Sequence, residues 1–152
     1  MTKVLAIGAY TEEEGAALAA AFECHPLAEE REIANLPHPL RAEITGVAYK
    51  GHQGFGAAEM AHLPNLRLVA NYGVGYDSID IEAASARGIT VTNTPDVLND
   101  DVADLAIALW LMQGREMEQA SAWARSGRWA QEGEYRRNRK LSGARVGIVG
   151  LG

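Results

Sequence analysis

Apolar positions along the chain alternate between two rhythms. Lys3–Gly8 (KVLAIG) is a continuous apolar run, the pattern of a strand buried on both faces. Glu12–Glu23 is rich in Ala and Glu and carries acids in its first turn, where the helix dipole favours them, so it predicts a helix. Residues 24–43 hold three of the five prolines and predict a short strand with an irregular connection. Thr45–Tyr49 predicts a second strand, and Ala57–Leu63 a short helix stopped by Pro64. A third strand follows over 66–72 (LRLVANY), then a helix over 80–88. There Asp80 supplies an N-cap and Gly88 the residue after the C-cap. Residues 89–93 (ITVTN) form a β-branched strand. This βαβα order with short turns implies an α/β fold, a parallel sheet with helices on both faces.

The rhythm then changes. One helical segment is predicted from Asn99 to about Arg125, capped by Asn99 or Asp100, apolar nearly all round in its first half and polar in its second. Its length suggests a bridge between two domains, with the boundary near Pro95–Asn99. Residues 126–140 form a polar, basic arm. Val146–Val149 then starts a new strand that runs into Gly150-Leu151-Gly152. A strand leading into Gly-x-Gly is how a dinucleotide-binding turn begins, its helix N-terminus holding a pyrophosphate.

Composition narrows the function classes. The 152 residues are 47% hydrophobic and 22% charged, as in ordinary globular proteins. A net charge of -6 argues against nucleic acid as the main partner, since phosphate contacts need a basic face. The single Cys24 excludes an internal disulfide and a multi-cysteine zinc site, which fits a reducing, cytoplasmic setting. The longest strongly apolar run, Leu105 to Met112, is far shorter than the ~20 residues of a membrane span, and the N-terminus lacks the features of a signal peptide.

Five stretches could carry chemistry. Gly73-Val74-Gly75 follows a strand at its carboxyl end, where parallel sheets bind ligands, and glycines there free backbone amides to meet an anion; a tight strand-to-helix turn would need the same glycines. Asp100, Asp101 and Asp104 sit at the start of the long helix as capping acids. A metal is a weaker reading of them without a histidine, and Asp104 on an apolar face calls for a cationic partner or a helix N-terminus. Lys50 at the end of the second strand could meet an anionic substrate or simply be solvated. His25, His38, His52 and His62 show neither metal spacing nor a nucleophile partner. Residues 136–140 (RRNRK) could bind phosphate, face an acidic partner or be solvated. Gly147 is a close-packing glycine within its strand.

The order of these stretches resembles a known family. "GVGYDSIDIEAASARGITVTNTPDVLNDDVADLAIALWL", then "SGRWAQEG" and "LSGARVGIVGLG", are similar to the D-isomer-specific 2-hydroxyacid dehydrogenases, most of all their glyoxylate/hydroxypyruvate reductase-like branch. The resemblance implies a flavodoxin-like, parallel-sheet substrate domain over 1–98. A long interdomain helix and the first strand of an NAD(P)-binding Rossmann domain follow over 99–152. It further implies reduction of a small 2-keto acid to the D-2-hydroxy acid with NAD or NADP, and a homodimer formed through the Rossmann domain. On this resemblance Val74 and Gly75 hold the substrate carboxylate, and Lys50 is a basic residue beside it. Leu98 and Val102 pack near the nicotinamide, and Gly150, Leu151 and Gly152 belong to the cofactor fingerprint. The family's catalytic arginine, glutamate and histidine fall beyond Gly152, so the chain is expected to be a catalytically incomplete front portion. Two other classes share the architecture: a corepressor-like module that senses a dinucleotide, and a stand-alone flavodoxin-like interaction domain.

Overall fold

A computed structural model describes residues 1–150. The chain forms two compact units, Met1–Val97 and Leu98–Gly152. In the first, five parallel strands lie in the order β2-β1-β3-β4-β5. They are β1 (Lys3–Gly8), β2 (Glu23–Leu27), β3 (Ile44–Lys50), β4 (Leu68–Asn71) and β5 (Thr90–Thr92). This is the flavodoxin-like strand order, and it reverses direction between β1 and β3, where ligands bind at the carboxyl edge. The expected α/β class and parallel sheet are therefore present.

Register explains the core. Leu5, Val47, Val69 and Val91 lie side by side across the sheet, as do Ile7, Tyr49 and Asn71. They meet Ile33 from a 3-10 turn (Glu30–Asn35), Met60 of α3 (Ala57–Ala61) and Ala84 of α4 (Ile81–Ala86). Short α2 (His38–Glu43) completes this side, with Leu40 packed on the core. The opposite face is built from smaller residues: Ala6, Ala48, Ala70 and Thr92 align there. Within this unit α1 (Glu12–Ala21) borders that face, with Ala17 and Leu18 lining a groove over Ala48 and Ala70. Helices thus lie on both faces, but unevenly. The edges are β2, which contains Pro26, and β5, which has three residues.

Local signals fix the helix ends. Thr11 caps α1 through a reciprocal box: its Oγ1 accepts from the Glu14 amide at 3.2 Å and Glu14 Oε2 accepts from the Thr11 amide at 2.7 Å. Asp80 caps α4 by accepting from the Ala83 amide, as the sequence predicts. Gly88, at φ +68°, ends α4: its amide bonds Ser85 O and the Ile89 amide bonds Ala84 O, a Schellman closure with Ile89 buried. The irregular stretch 24–43 contains more order than predicted, since Pro39 sits in the first turn of α2, where its missing N–H costs nothing.

The second unit departs from expectation. The single helix from Asn99 to Arg125 is two helices, α5 (Asn99–Gly114) and α6 (Met117–Arg125), followed by α7 (Arg128–Glu132). The break has a cause in Gly114, a poor helix former packed so tightly under Leu141 that a Cβ would lie 2.5 Å from its Cδ2. Glu116 then turns left-handed, at φ 50°. Leu98, not Asn99 or Asp100, occupies the cap position of α5, and it makes no side-chain cap bond. The chain is already helical at Asn99, which leaves Asp100 and Asp101 in the first turn facing the dipole. Asp104 is exposed, so the cationic partner expected for it is unnecessary. The strand expected at Val146–Val149 joins no ladder among the described residues; a strand needs a neighbour to bond its backbone, and Val146, Ile148 and Val149 lie exposed.

Candidate functional site

The carboxyl ends of β1, β3 and β4 converge on one place. Gly8 ends β1 at φ +108°, and a Cβ there would lie 2.4 Å from the Lys50 carbonyl oxygen. Only glycine lets the two strand ends approach this closely. Beyond β3, Gly51 packs against side chains, because a Cβ there would meet the Glu30 carboxylate. Glu30 is buried and accepts from the Tyr49 hydroxyl at 2.6 Å and from the Gln53 amide at 3.3 Å. It pins the loop after Lys50 from beneath. Burial, first, and then this bond to Glu30 push the Tyr49 phenol up to about 12. Phe55 anchors the other end of the loop: its amide bonds Ser78 O at 2.7 Å, and its carbonyl accepts from the Asp80 amide at 3.1 Å. The ring is fully buried against Tyr49.

After β4 comes the glycine bend. Asn71 is nearly buried, and its Nδ2 donates to the carbonyls of Gly73 and Gly75 at 3.1 and 2.8 Å. Asn93 Nδ2 donates to the Val74 carbonyl at 2.9 Å, and the Thr94 amide donates to Gly73 O at 3.0 Å. All three carbonyls of the bend are thereby held toward the protein. Among the described residues the amides of Val74 and Gly75 have no acceptor, and a Cβ on Gly75 would meet nothing within 4 Å. Carbonyls tied inward with amides left open is the electrostatic arrangement of an anion seat. The sequence points to the bend through its glycines but does not reveal Asn71, whose side chain the bend folds back over, or Asn93, whose role depends on β5 lying beside β4.

Lys50 stands beside the bend but not as a free cation. Its Nζ lies 2.9 and 3.1 Å from the two Glu14 carboxylate oxygens. The ammonium also sits 4.5 Å from the Tyr72 ring centroid and 5.4 Å from that of Tyr10. The Lys50 bond, then the capping bond from Thr11, holds the Glu14 carboxyl down at about 2. Burial, chiefly, raises the Tyr10 phenol to about 12; its hydroxyl is enclosed without a partner among the described residues. Beside this cluster opens a mostly apolar groove of about 440 Å³, lined by α1, Ala70, Thr92 and the ends of β4 and β5.

The remaining predicted positions are spread over both units. Leu98 and Val102 are exposed apolar residues at the start of α5. Gly150 adopts φ +81° with open space where a Cβ would stand, while Leu151 and Gly152 lie outside the described residues. In the basic run, Arg136 is bonded to Glu116, and Asn138 to the Arg115 carbonyl. His62 accepts from Arg41 and His25 faces Glu23, while His38 and His52 are exposed. No group of three or more His, Cys, Asp or Glu side chains suited to a metal occurs among the described residues.

Comparison with known proteins identifies relatives. The sequence is 46% identical over 112 residues to a glyoxylate/hydroxypyruvate reductase A of Arabidopsis thaliana, covering 74% of this chain and 36% of that protein. It is 50% identical over 94 residues to a glyoxylate reductase of Pyrococcus horikoshii, covering 59% of this chain and 28% of that protein. Among solved structures, an NADPH-dependent glyoxylate/hydroxypyruvate reductase of Sinorhizobium meliloti, in complex with NADP and malonate, superposes with a TM-score of 0.82 at 38% identity, covering 99% of this chain and 46% of that one. A 2-hydroxyacid dehydrogenase of Ketogulonicigenium vulgare gives 0.78 at 42% identity, over 92% of this chain and 44% of that one. The chain therefore spans less than half the length of these relatives. The profile described as D-isomer specific 2-hydroxyacid dehydrogenase, catalytic domain, matches residues 4–142, and the chain belongs to that family.

Proposed function

We propose that this chain is part of an NAD(P)-dependent oxidoreductase that reduces a small 2-keto acid, of the glyoxylate or hydroxypyruvate kind, to the D-2-hydroxy acid. The observation that carries the reading is the bend at 73–75, with its carbonyls bonded by Asn71, Asn93 and Thr94 and the Val74 and Gly75 amides left open. Those amides take the substrate carboxylate, and Lys50, paired with Glu14, stands beside them. Fixing the carboxylate orients the neighbouring keto carbon, which is how positioning lowers a barrier. Residues 1–98 act as the substrate-binding segment and 99–152 as the start of the cofactor-binding domain.

The residues present fit the family's dinucleotide as far as they go. Leu98 and Val102 offer exposed apolar surface for a nicotinamide face, and the left-handed Gly150 permits close approach to phosphate alongside Leu151 and Gly152. When bound, the nicotinamide supplies the hydride. Among the described residues no arginine or histidine side chain is bonded to the bend, so the bend by itself supplies the carboxylate seat and not the proton. A homodimer formed through the second unit is supported by exposed Leu105, Leu109 and Trp110 on α5. The acidic chain with one free cysteine suits a cytoplasmic setting, and no described helix is long and apolar enough to cross a membrane.

The test is direct. Oxamate, an unreactive 2-keto acid analogue, is titrated into ¹⁵N-labelled protein. The Val74 and Gly75 amide resonances should move first and furthest. Binding that perturbs other residues and spares this bend would remove the reading. The same 152-residue chain, given NADH or NADPH with glyoxylate, should show no turnover.

A further inference from the structure

Lys50 places its ammonium over the ring of Tyr72, the residue that leads into the bend, and it is already occupied. Glu14 grips it with both carboxylate oxygens, at 2.9 and 3.1 Å, while Tyr72 and Tyr10 flank it with their rings. Both members of the pair are about three-quarters buried, with side chains 24% and 25% exposed. Glu14 is itself fixed, because Oε2 also accepts from the Thr11 amide in the capping box of α1. The pair is therefore rigid and close to neutral as a unit.

We propose that Glu14 sets the charge class of the ligand: by holding Lys50 it keeps the seat at 73–75 suited to monoanionic 2-keto and 2-hydroxy acids and closed to those with a second anionic group. This deepens the function proposed above and rests on it. A second carboxylate or phosphate on the ligand can gain from Lys50 only by displacing Glu14. The exchange swaps one charge-assisted bond for another and leaves Glu14 an unpaired anion beside a dianion. A small monoanion needs only the Val74 and Gly75 amides and meets no such opposition. Glu14 acts through Lys50 and touches no reacting atom, so it is a positioning residue.

Glu14→Gln separates this from a structural role. Glutamine at this position still accepts from the Thr11 amide, so the cap survives while the charge is lost. Affinities for D-glycerate and for D-malate are measured on the 152-residue chain from the Val74 and Gly75 amide shifts. In the wild type D-malate should bind no more tightly than D-glycerate. In Glu14→Gln the malate-to-glycerate affinity ratio should rise roughly tenfold, the worth of one charge-assisted bond. In the double variant Glu14→Gln with Lys50→Met it should fall back. An unchanged ratio in Glu14→Gln while both acids still shift the bend overturns the role of Glu14 alone, as does a wild type that already favours malate tenfold. If neither acid moves those amides in any variant, the seat itself is wrong and this inference falls with it.

Discussion

The Asn71 side-chain amide donates to Gly73 O and Gly75 O at once, at 3.1 and 2.8 Å, from a position almost closed to solvent. One donor group thus fixes the start and the end of the bend. Asn71→Asp would aim a carboxylate at the same two carbonyls. It should cost about 1–3 kcal/mol, seen as a lower urea midpoint, and should weaken oxamate binding. A variant with unchanged midpoint and affinity would show that the bend holds its shape without Asn71.

The contact of Gly8 with the Lys50 carbonyl makes a second prediction. Gly8→Ala combines an unfavourable positive φ with a Cβ 2.4 Å from that oxygen. The strand ends must part, and stability should drop by at least about 1 kcal/mol. Gly15, half-buried on α1 with nothing within 4 Å of a Cβ, is the control: Gly15→Ala should stabilise by about 0.5–1 kcal/mol.

Acid should release Glu14 from Lys50. The folded state holds this carboxyl at about 2, against an ordinary 4.5, so the pair contributes its full stability above the ordinary value and loses it as pH falls through about 2. The gap in urea midpoint between wild type and Glu14→Gln should therefore be constant above pH 5 and narrow steadily toward pH 2. A gap that stays constant over that range would mean the pair adds nothing to stability.

Exposed apolar residues on α5 predict the opposite kind of result. Leu105 and Leu109 are more than half exposed, at 58% and 55%. Leu105→Gln and Leu109→Gln should leave the stability of the chain within about 0.5 kcal/mol while reducing self-association at high concentration in sedimentation experiments.

Much of this architecture is legible from residue patterns, and the reasons differ by element. β1 is apolar throughout because both faces are covered, and Asp80 and Gly88 bracket α4 by side-chain and backbone rules that act within a few residues. The break at Gly114 is less legible: a lone glycine in a helix is often tolerated, and the Leu141 side chain that packs against this one lies 27 positions later. The site divides in the same way. Glycines announce the bend, since their conformational freedom is a property of one residue. Asn93, Glu14 and Glu30 carry no such mark, because each acts on a partner distant in the chain, and Asn71 shows its role only once the bend folds back over its side chain. Lys50 is legible as a cation at a strand end, but its neutralisation from α1 is not.

The two outer strands bear on how this molecule meets others. A foreign strand joining at β2 would confront Pro26, which has no N–H to offer, and the charge of Glu23. At β5 it would find a template of only three residues. Edge-to-edge growth of the sheet, the route toward fibrils, is blunted at both margins.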